Sequence, residues 1–339
     1  MTTRKIRIEH DLLGEREVPA ASYYGVQTLR AVENFPISGI TLGRYRFMVR
    51  SLAYIKKAAA AANAKLGLLP EEIAAALAAA CDDVIAGKYD EQFVVDMIQG
   101  GAGTSSNMNA NEVIANVALE KMGYDKGRYD IIHPNNHVNM CQSTNDVYPT
   151  AIRLALIFKI RGLLEAMRHL YGALEDKSIE FRDIIKMGRT QLQDAVPMSL
   201  RQEFSAFAVM VGEDIARVKE TEQLLREINL GGTAVGTGLN AHPEYSPLAV
   251  LYLRQFTGIE LEAAVNLVEA TQDSGVYVQL SGVLKRVAVK LSKICNDLRL
   301  LSSGPRCGLN EIHLPAMAPG STIMPGKVNP VIPEVVNQV

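Results

Sequence analysis

Apolar residues in the second half of the chain recur in alternating steps of three and four. From Ile160 they run Leu163, Met167, Leu170, Leu174; a second stripe is Phe204, Phe207, Val211, Ile215, Val218. A third, Leu280, Leu284, Val287, Leu291, Ile294, Leu298, keeps the heptad step most cleanly. This spacing predicts three long helices, each with one apolar seam, packed nearly parallel. Read as one helix, residues 150–181 are about 48 Å long at ~1.5 Å per residue. Seams of that length are buried against one another and often against other subunits, and three amphipathic helices in a monomeric bundle fit the same pattern. Alanines crowd positions 58–62 and 74–80, which predicts close helix packing there.

Between the helical stretches the chain turns polar and rich in glycine. Residues 100–109 precede a helix for which Asn109 or Asn111 is the expected N-cap. Residues 133–149 lead into the first long helix, 188–197 join it to the second, 231–240 follow the second and 304–333 the third. The polar signal therefore falls at helix ends, where backbone N–H groups lack partners and bind anions. The expected organisation is mainly α, with a smaller mixed N-terminal domain over 1–142 and a central helical bundle over 143–339.

Composition narrows the function. The 339 residues are 48% hydrophobic with a formal net charge of −2, ample for a large interior and without the bulk positive charge that nucleic-acid or membrane-surface binding uses. No apolar run reaches membrane-spanning length, residues 73–81 being short and alanine-rich, and the first residues hold no apolar signal stretch. Cys81, Cys141, Cys295 and Cys307 are widely spaced, so free thiols in a reduced cytoplasmic protein are expected. The six histidines show no metal-ligand spacing.

Four polar segments carry candidate chemistry. Gln99-Gly100-Gly101-Ala102-Gly103-Thr104-Ser105-Ser106-Asn107-Met108-Asn109 brings hydroxyls and backbone donors close to a ligand but lacks the lysine of a phosphate loop. Gln142-Ser143-Thr144-Asn145-Asp146 is four hydrogen-bonding side chains in a row after a glutamine, fit for binding or simply for capping a helix. Gly188-Arg189-Thr190-Gln191-Leu192-Gln193-Asp194 reads as a binding corner or a polar inter-helix loop. Gly320-Ser321-Thr322-Ile323-Met324-Pro325-Gly326-Lys327-Val328-Asn329-Pro330 is the richest: two adjacent hydroxyls, a lysine and an asparagine on a glycine-bounded loop suit an anionic substrate. Gly231-Gly232-Thr233-Ala234-Val235-Gly236-Thr237-Gly238 follows a helical stretch and reads as a close-packing loop, not a dinucleotide site.

Taken in order, these segments resemble the aspartase/fumarase superfamily. The resemblance runs from Val18-Pro19 and Tyr23-Tyr24-Gly25-Val26-Gln27-Thr28 through Asn107–Val113 and His137-Val138-Asn139-Met140 to the loop at 320–330, which is the family signature. Thr190-Gln191, where fumarases carry Thr-His, together with Gly100-Gly101-Ala102-Gly103-Thr104-Ser105, is similar to the aspartate ammonia-lyase (aspartase) branch. Thr322 stands where the family usually has a second serine.

The resemblance implies a long helical bundle and reversible deamination of L-aspartate to fumarate and ammonia. It implies that Ser321 is the base that takes the Cβ proton, through an aci-carboxylate intermediate. Thr104, Ser143, Thr144 and Thr322 would hold the β-carboxylate; Lys327, Asn329, Thr190 and Gln191 the α-carboxylate; Asn145 the amino group. It implies no required cofactor, with magnesium activation a feature of some members only. It also implies a homotetramer whose active sites draw on three subunits, and a family fold whose C-terminal part is missing from this chain; the glycines at 320 and 326 predict a mobile lid that closes over substrate. A class II fumarase and an inactive truncated scaffold remain the alternatives. An unassisted serine is a poor base, so backbone N–H groups and nearby positive charge must support its alkoxide.

Overall fold

The computed structural model describes residues 5–339. In chain order it holds a hairpin of β1 (Ile6–Asp11) and β2 (Gly14–Pro19), then helices α1 (Val26–Asn34), α2 (Arg46–Lys65), α3 (Glu71–Ile85) and α4 (Thr104–Lys121). A π-helical turn, Pro134–Val138, precedes the long helix α5 (Thr144–Glu180). A second hairpin, β3 (Ile185–Thr190) and β4 (Gln193–Ser199), leads to α6 (Leu200–Leu224). Then come β5 (Glu227–Ile228), α7 (Tyr245–Thr257), β6 (Glu262–Ala263), α8 (Leu267–Gln272), α9 (Gly275–Leu301) and α10 (Val331–Gln338).

These elements form two compact units. The first holds the described residues up to 159 together with 223–273; the second holds 160–222 and 274–339. The expected boundary at 142/143 does not coincide with this division, and the N-terminal unit is the larger one. The reason is that α5 starts in the first unit, and the segment after α6 returns to it: α7 packs on α2, and β5 pairs in parallel with β6.

The alanines explain the core of the first unit. Ala58, Ala59, Ala60 and Ala62 on α2 are buried, and small side chains let α3 and α7 approach its backbone. Helix α4 is less expected. Residues 106–119 are all buried, yet they include Asn107, Asn109, Asn111, Asn116 and Glu112. Buried polar groups are costly unless paired. Asn116 donates to the Tyr23 carbonyl at 2.8 Å and accepts from the Gly127 N–H at 2.7 Å. Asn109 donates to the Gln92 carbonyl at 3.0 Å. Glu112 accepts from the N–H groups of Gly25, Gln27 and Thr28 at 2.8, 2.8 and 3.1 Å, while Glu9 accepts from Val26 at 2.8 Å. Two carboxylates thus cap the N-terminus of α1, where a helix favours negative charge. Burial still pushes the Glu112 carboxyl up to about 7. Gly25 leaves room for this cluster, since a Cβ there would lie 2.5 Å from Glu9 Oε2 and 2.7 Å from the Tyr129 hydroxyl.

The second unit bears out most of the apolar stripes, though Leu284 of the third is exposed. Phe204, Phe207, Val211 and Val218 on α6 and Leu280, Val287 and Ile294 on α9 are buried, and Phe204 meets Phe181 and Phe207 edge-on at 5.1 and 5.7 Å. Asp214 is buried on α6 and paired with Arg286 at 2.7 Å and Lys290 at 3.1 Å from α9.

Three local expectations change. The first long helix begins at Thr144, not Thr150, and carries Pro149 inside it. Proline has no N–H for the carbonyl four residues back, and the Asn229 side chain supplies the missing donor to the Asn145 carbonyl at 2.9 Å. The segment 188–197 belongs to an antiparallel hairpin instead of an inter-helix loop. Helix α4 starts at Thr104 after Gly103, so Asn109 and Asn111 are buried interior residues and not caps.

Candidate active site

The sequence-predicted residues fall into local groups. Thr104, Ser143, Thr144 and Asn145 lie in the first unit; Thr190, Gln191, Ser321, Thr322, Lys327 and Asn329 lie in the second.

In the first unit the starts of two helices meet. Gly103, with φ +96°, turns the chain into α4, and a Cβ on it would sit 2.2 Å from the Tyr148 ring in the opening turns of α5. Only a glycine allows that approach. The Thr104 hydroxyl donates to the Gly101 carbonyl at 2.7 Å, so it must rotate before it can donate to a carboxylate. The next two hydroxyls are already arranged. Ser143 Oγ accepts from the Asn145 N–H at 3.2 Å, and Thr144 Oγ1 accepts from the Asn107 side-chain amide at 3.3 Å. Each keeps its own O–H as a donor. Asn145 is sorted the other way. Its amide N–H donates to the Ala234 carbonyl at 2.7 Å, leaving Oδ1 as the acceptor it presents.

Asp146 holds this corner together. Buried at the start of α5, it accepts from the Ser143 N–H at 3.0 Å and from the N–H groups of Gly231 and Thr233 at 3.1 and 3.0 Å. Burial pushes its carboxyl up to about 6 against those hydrogen bonds. The 231–238 loop therefore does more than fill space, because it fixes both Asn145 and Asp146. Sequence reasoning missed Asp146, Asn229 and this loop's part. The signal was the acidic residue in the first turn of a helix, read only as a cap.

His133 and His137 serve the backbone: His133 Nδ1 accepts from the Asn135 and Asn136 N–H groups, and His137 Nδ1 from the His133 N–H. Burial lowers both imidazoles below their ordinary range. Cys141 is half-buried with φ +61°, and burial pushes its thiol up, which fits a neighbour and not a nucleophile.

In the second unit Gln191 and Leu192 form the two-residue loop of the β3–β4 hairpin, with φ of +52° and +66°. Asparagine and glycine usually fill such turns, so this pair holds strained backbone of the kind that gathers at functional positions. Ion pairs brace the hairpin: Lys186 to Glu203 at 2.5 Å and Glu311 at 3.1 Å, and Arg189 to Glu311.

The signature loop is closed at its base. The Gly320 N–H donates to the Lys327 carbonyl at 2.7 Å, and the Asn329 amide to the Gly320 carbonyl at 3.3 Å. Ser321 Oγ accepts from the Ile323 N–H at 3.3 Å, a donor placed to favour its alkoxide. Lys327 is exposed and makes no ion pair among the described residues. It lines a cavity of about 590 Å³ with Asn329, Arg299 and His313, whose walls carry no carboxylate. Thr322 is exposed on the same loop.

The chain is mainly helical and gathers its sequence-predicted polar residues at the ends of helices and in loops. The lyase family model matches residues 14–339, and the chain belongs to that family, within the aspartase/fumarase superfamily. It is 63% identical over 334 residues to an aspartate ammonia-lyase of Pseudomonas aeruginosa, covering 98% of this chain and 70% of the relative. It is 58% identical over 338 residues to an aspartate ammonia-lyase of Escherichia coli, covering 99% and 71%. Among solved structures it is similar to a Brucella melitensis protein described as fumarate lyase:delta crystallin bound to cobalt, with a TM-score of 0.97, 61% identity and coverage of 98% and 73%. It is also similar to a class II fumarase of Schistosoma mansoni, with a TM-score of 0.95, 38% identity and the same coverage. Among the described residues no helix is long and apolar enough to cross a membrane.

Proposed function

We propose that this chain catalyses reversible elimination of ammonia from L-aspartate to give fumarate. One observation carries the reading: at Ser143–Asn145 the donors and acceptors are already sorted, with two free hydroxyl donors for a carboxylate beside one amide oxygen for an ammonium. The names of the relatives at 58–63% identity support the same reaction.

The Ser321 alkoxide, supported by the Ile323 N–H, takes the proton from Cβ. The electron pair moves into the β-carboxylate, which becomes a dianionic aci-carboxylate held by Thr104, Ser143, Thr144 and Thr322. Its electrons then form the Cα–Cβ double bond while the C–N pair leaves with nitrogen as ammonia. Lys327, Asn329, Thr190 and Gln191 hold the α-carboxylate, and Asn145 Oδ1 orients the amino group. Donors aimed at the charge that develops lower the barrier more than donors aimed at the substrate.

Complete sites form in a homotetramer and draw on three subunits. Exposed Val209, Val278 and Val289 on the helices of the second unit support such association. Four free cysteines fit a reducing compartment. Gln191 favours ammonia over water as the partner of fumarate, because a neutral amide cannot carry a proton as the imidazole of a Thr-His pair can.

Fumarate absorbance after addition of L-aspartate, read beside size-exclusion chromatography, tests the reading. A tetramer with turnover, and an Ser321→Ala variant slowed by about 10²-fold or more, are expected. Faster production of malate than of aspartate from fumarate would favour a fumarase, and an inert monomer would leave only a scaffold.

A further inference from the structure

One fully buried cation in the first unit has no part in the site as proposed so far. Lys56 on α2 is 1% exposed. Its Nζ donates to Asn107 Oδ1 at 2.7 Å, Asn139 Oδ1 at 2.8 Å and Gln142 Oε1 at 2.9 Å. Three carbonyl oxygens match the three N–H bonds of an ammonium, and none of them is a carboxylate. The acidic groups that act on it from neighbouring elements are Asp146, whose charge already faces three N–H groups, and the Cys81 thiol, which burial pushes up to about 12 and keeps neutral. Burial pulls the Lys56 ammonium down to about 7, and the three carbonyl acceptors oppose that loss of charge. An apolar side chain of the same length would avoid the cost of burial, and a buried amine held by three carbonyl oxygens with no carboxylate bonded to it points to a use for its charge.

The contacts show where the field acts. Asn107 accepts from Lys56 and donates to Thr144 Oγ1 at 3.3 Å; Gln142 immediately precedes Ser143, and its side chain donates to the Val138 and Met140 carbonyls. We propose that Lys56 is a positioning residue that sets the Ser143–Thr144 hydroxyl corner through Asn107 and Gln142, and that its ammonium form favours the dianionic carboxylate over the monoanionic one. This rests on the corner being the β-carboxylate site.

The test uses the full chain and its Lys56→Met variant. Two probes are bound by calorimetry: succinate, with two ordinary carboxylates, and the nitronate of 3-nitropropionate, whose planar end carries two formally negative oxygens, as an aci-carboxylate does. The nitronate's advantage over succinate should fall by about tenfold or more in the variant, and kcat by about 10²-fold with KM changed less than about threefold. Equal weakening of both probes would reduce Lys56 to a structural role and overturn the proposal. If Lys56→Met does not fold, Lys56→Ala is assayed with n-propylammonium, which should restore nitronate binding, and with n-propanol, which should not; equal rescue by both overturns it. On the unmutated chain, ¹⁵N NMR of the nitronate complex should show Lys56 Nζ as an ammonium; a neutral amine would also overturn it. The binding readout stands apart from turnover: an unmutated chain that forms no fumarate refutes the proposed reaction, while the probe comparison still decides Lys56.

Discussion

Gly103→Ala tests how the first two polar segments are brought together. The native φ of +96° is a conformation that L side chains rarely adopt, and holding an alanine near it costs about 1–3 kcal/mol. The new Cβ would lie 2.2 Å from Tyr148 Cγ and 2.4 Å from Cδ1, against an ordinary contact of 3.4 Å or more, so the ring or the helix start must move by about 1 Å. Overpacking of that kind costs about 1–3 kcal/mol. Together these take roughly 2–6 kcal/mol from a total that is typically about 5–15, so the fold should weaken but persist. A shift of about 1 Å between Thr104 and Ser143–Thr144 should cost about 10²-fold in rate. The measurements are urea unfolding followed by circular dichroism, and steady-state fumarate formation. Tyr148→Ala in the same background should return the steric share and leave the φ share, giving a coupling of about 1–3 kcal/mol. If Gly103→Ala unfolds at the native urea concentration and turns over normally, the two helix starts do not depend on this approach.

Leu192→Gly should relieve positive-φ strain and raise stability by about 1 kcal/mol in thermal unfolding, since Leu192 is largely exposed and loses little packing; a destabilised variant would show that the side chain is held by a contact outside the single chain. Asp96 accepts from the Ile98, Ser38 and Gly39 N–H groups and the Ser38 hydroxyl, and these bonds, that of Ile98 first, hold its carboxyl down to about 2. A depressed carboxyl stabilises the fold above its unfolded value of 3.8 and ceases to do so as pH falls through about 2. The stability gap between the native chain and Asp96→Asn should therefore be constant from pH 7 to 5 and close toward pH 2; a gap unchanged at pH 2 would remove the ionised carboxylate as its source.

The apolar stripes were legible because a helix repeats every 3.6 residues and writes its buried face into local spacing. The hairpin at 185–199 was not, because Gln191-Leu192 lacks the Asn-Gly or Asp-Gly that marks a two-residue turn, and ion pairs from Glu203 and Glu311 brace it instead. Helix α4 reads as polar and its interior asparagines look like caps, because the partners of Asn109, Asn116 and Asn107 lie on other segments: the Gln92 and Tyr23 carbonyls and Asn139. The first long helix begins at Thr144 and not at 150, with Pro149 inside it and the Asn229 amide supplying the donor that proline lacks, a partner that only folding brings there.

By itself the sequence determined that this is a helical lyase of the aspartase/fumarase superfamily, and it named the hydroxyls, lysine and amides of the corners where a dicarboxylate is proposed to bind. Tertiary structure alone decided their state. It left the Ser143 and Thr144 hydroxyls as donors, turned Asn145 so that its oxygen is presented, and placed a buried ammonium, Lys56, against Asn139, 83 residues away along the chain. Identity and spacing are local and can be read in order; which lone pair or proton a side chain has left to offer depends on partners that only folding brings within hydrogen-bond reach.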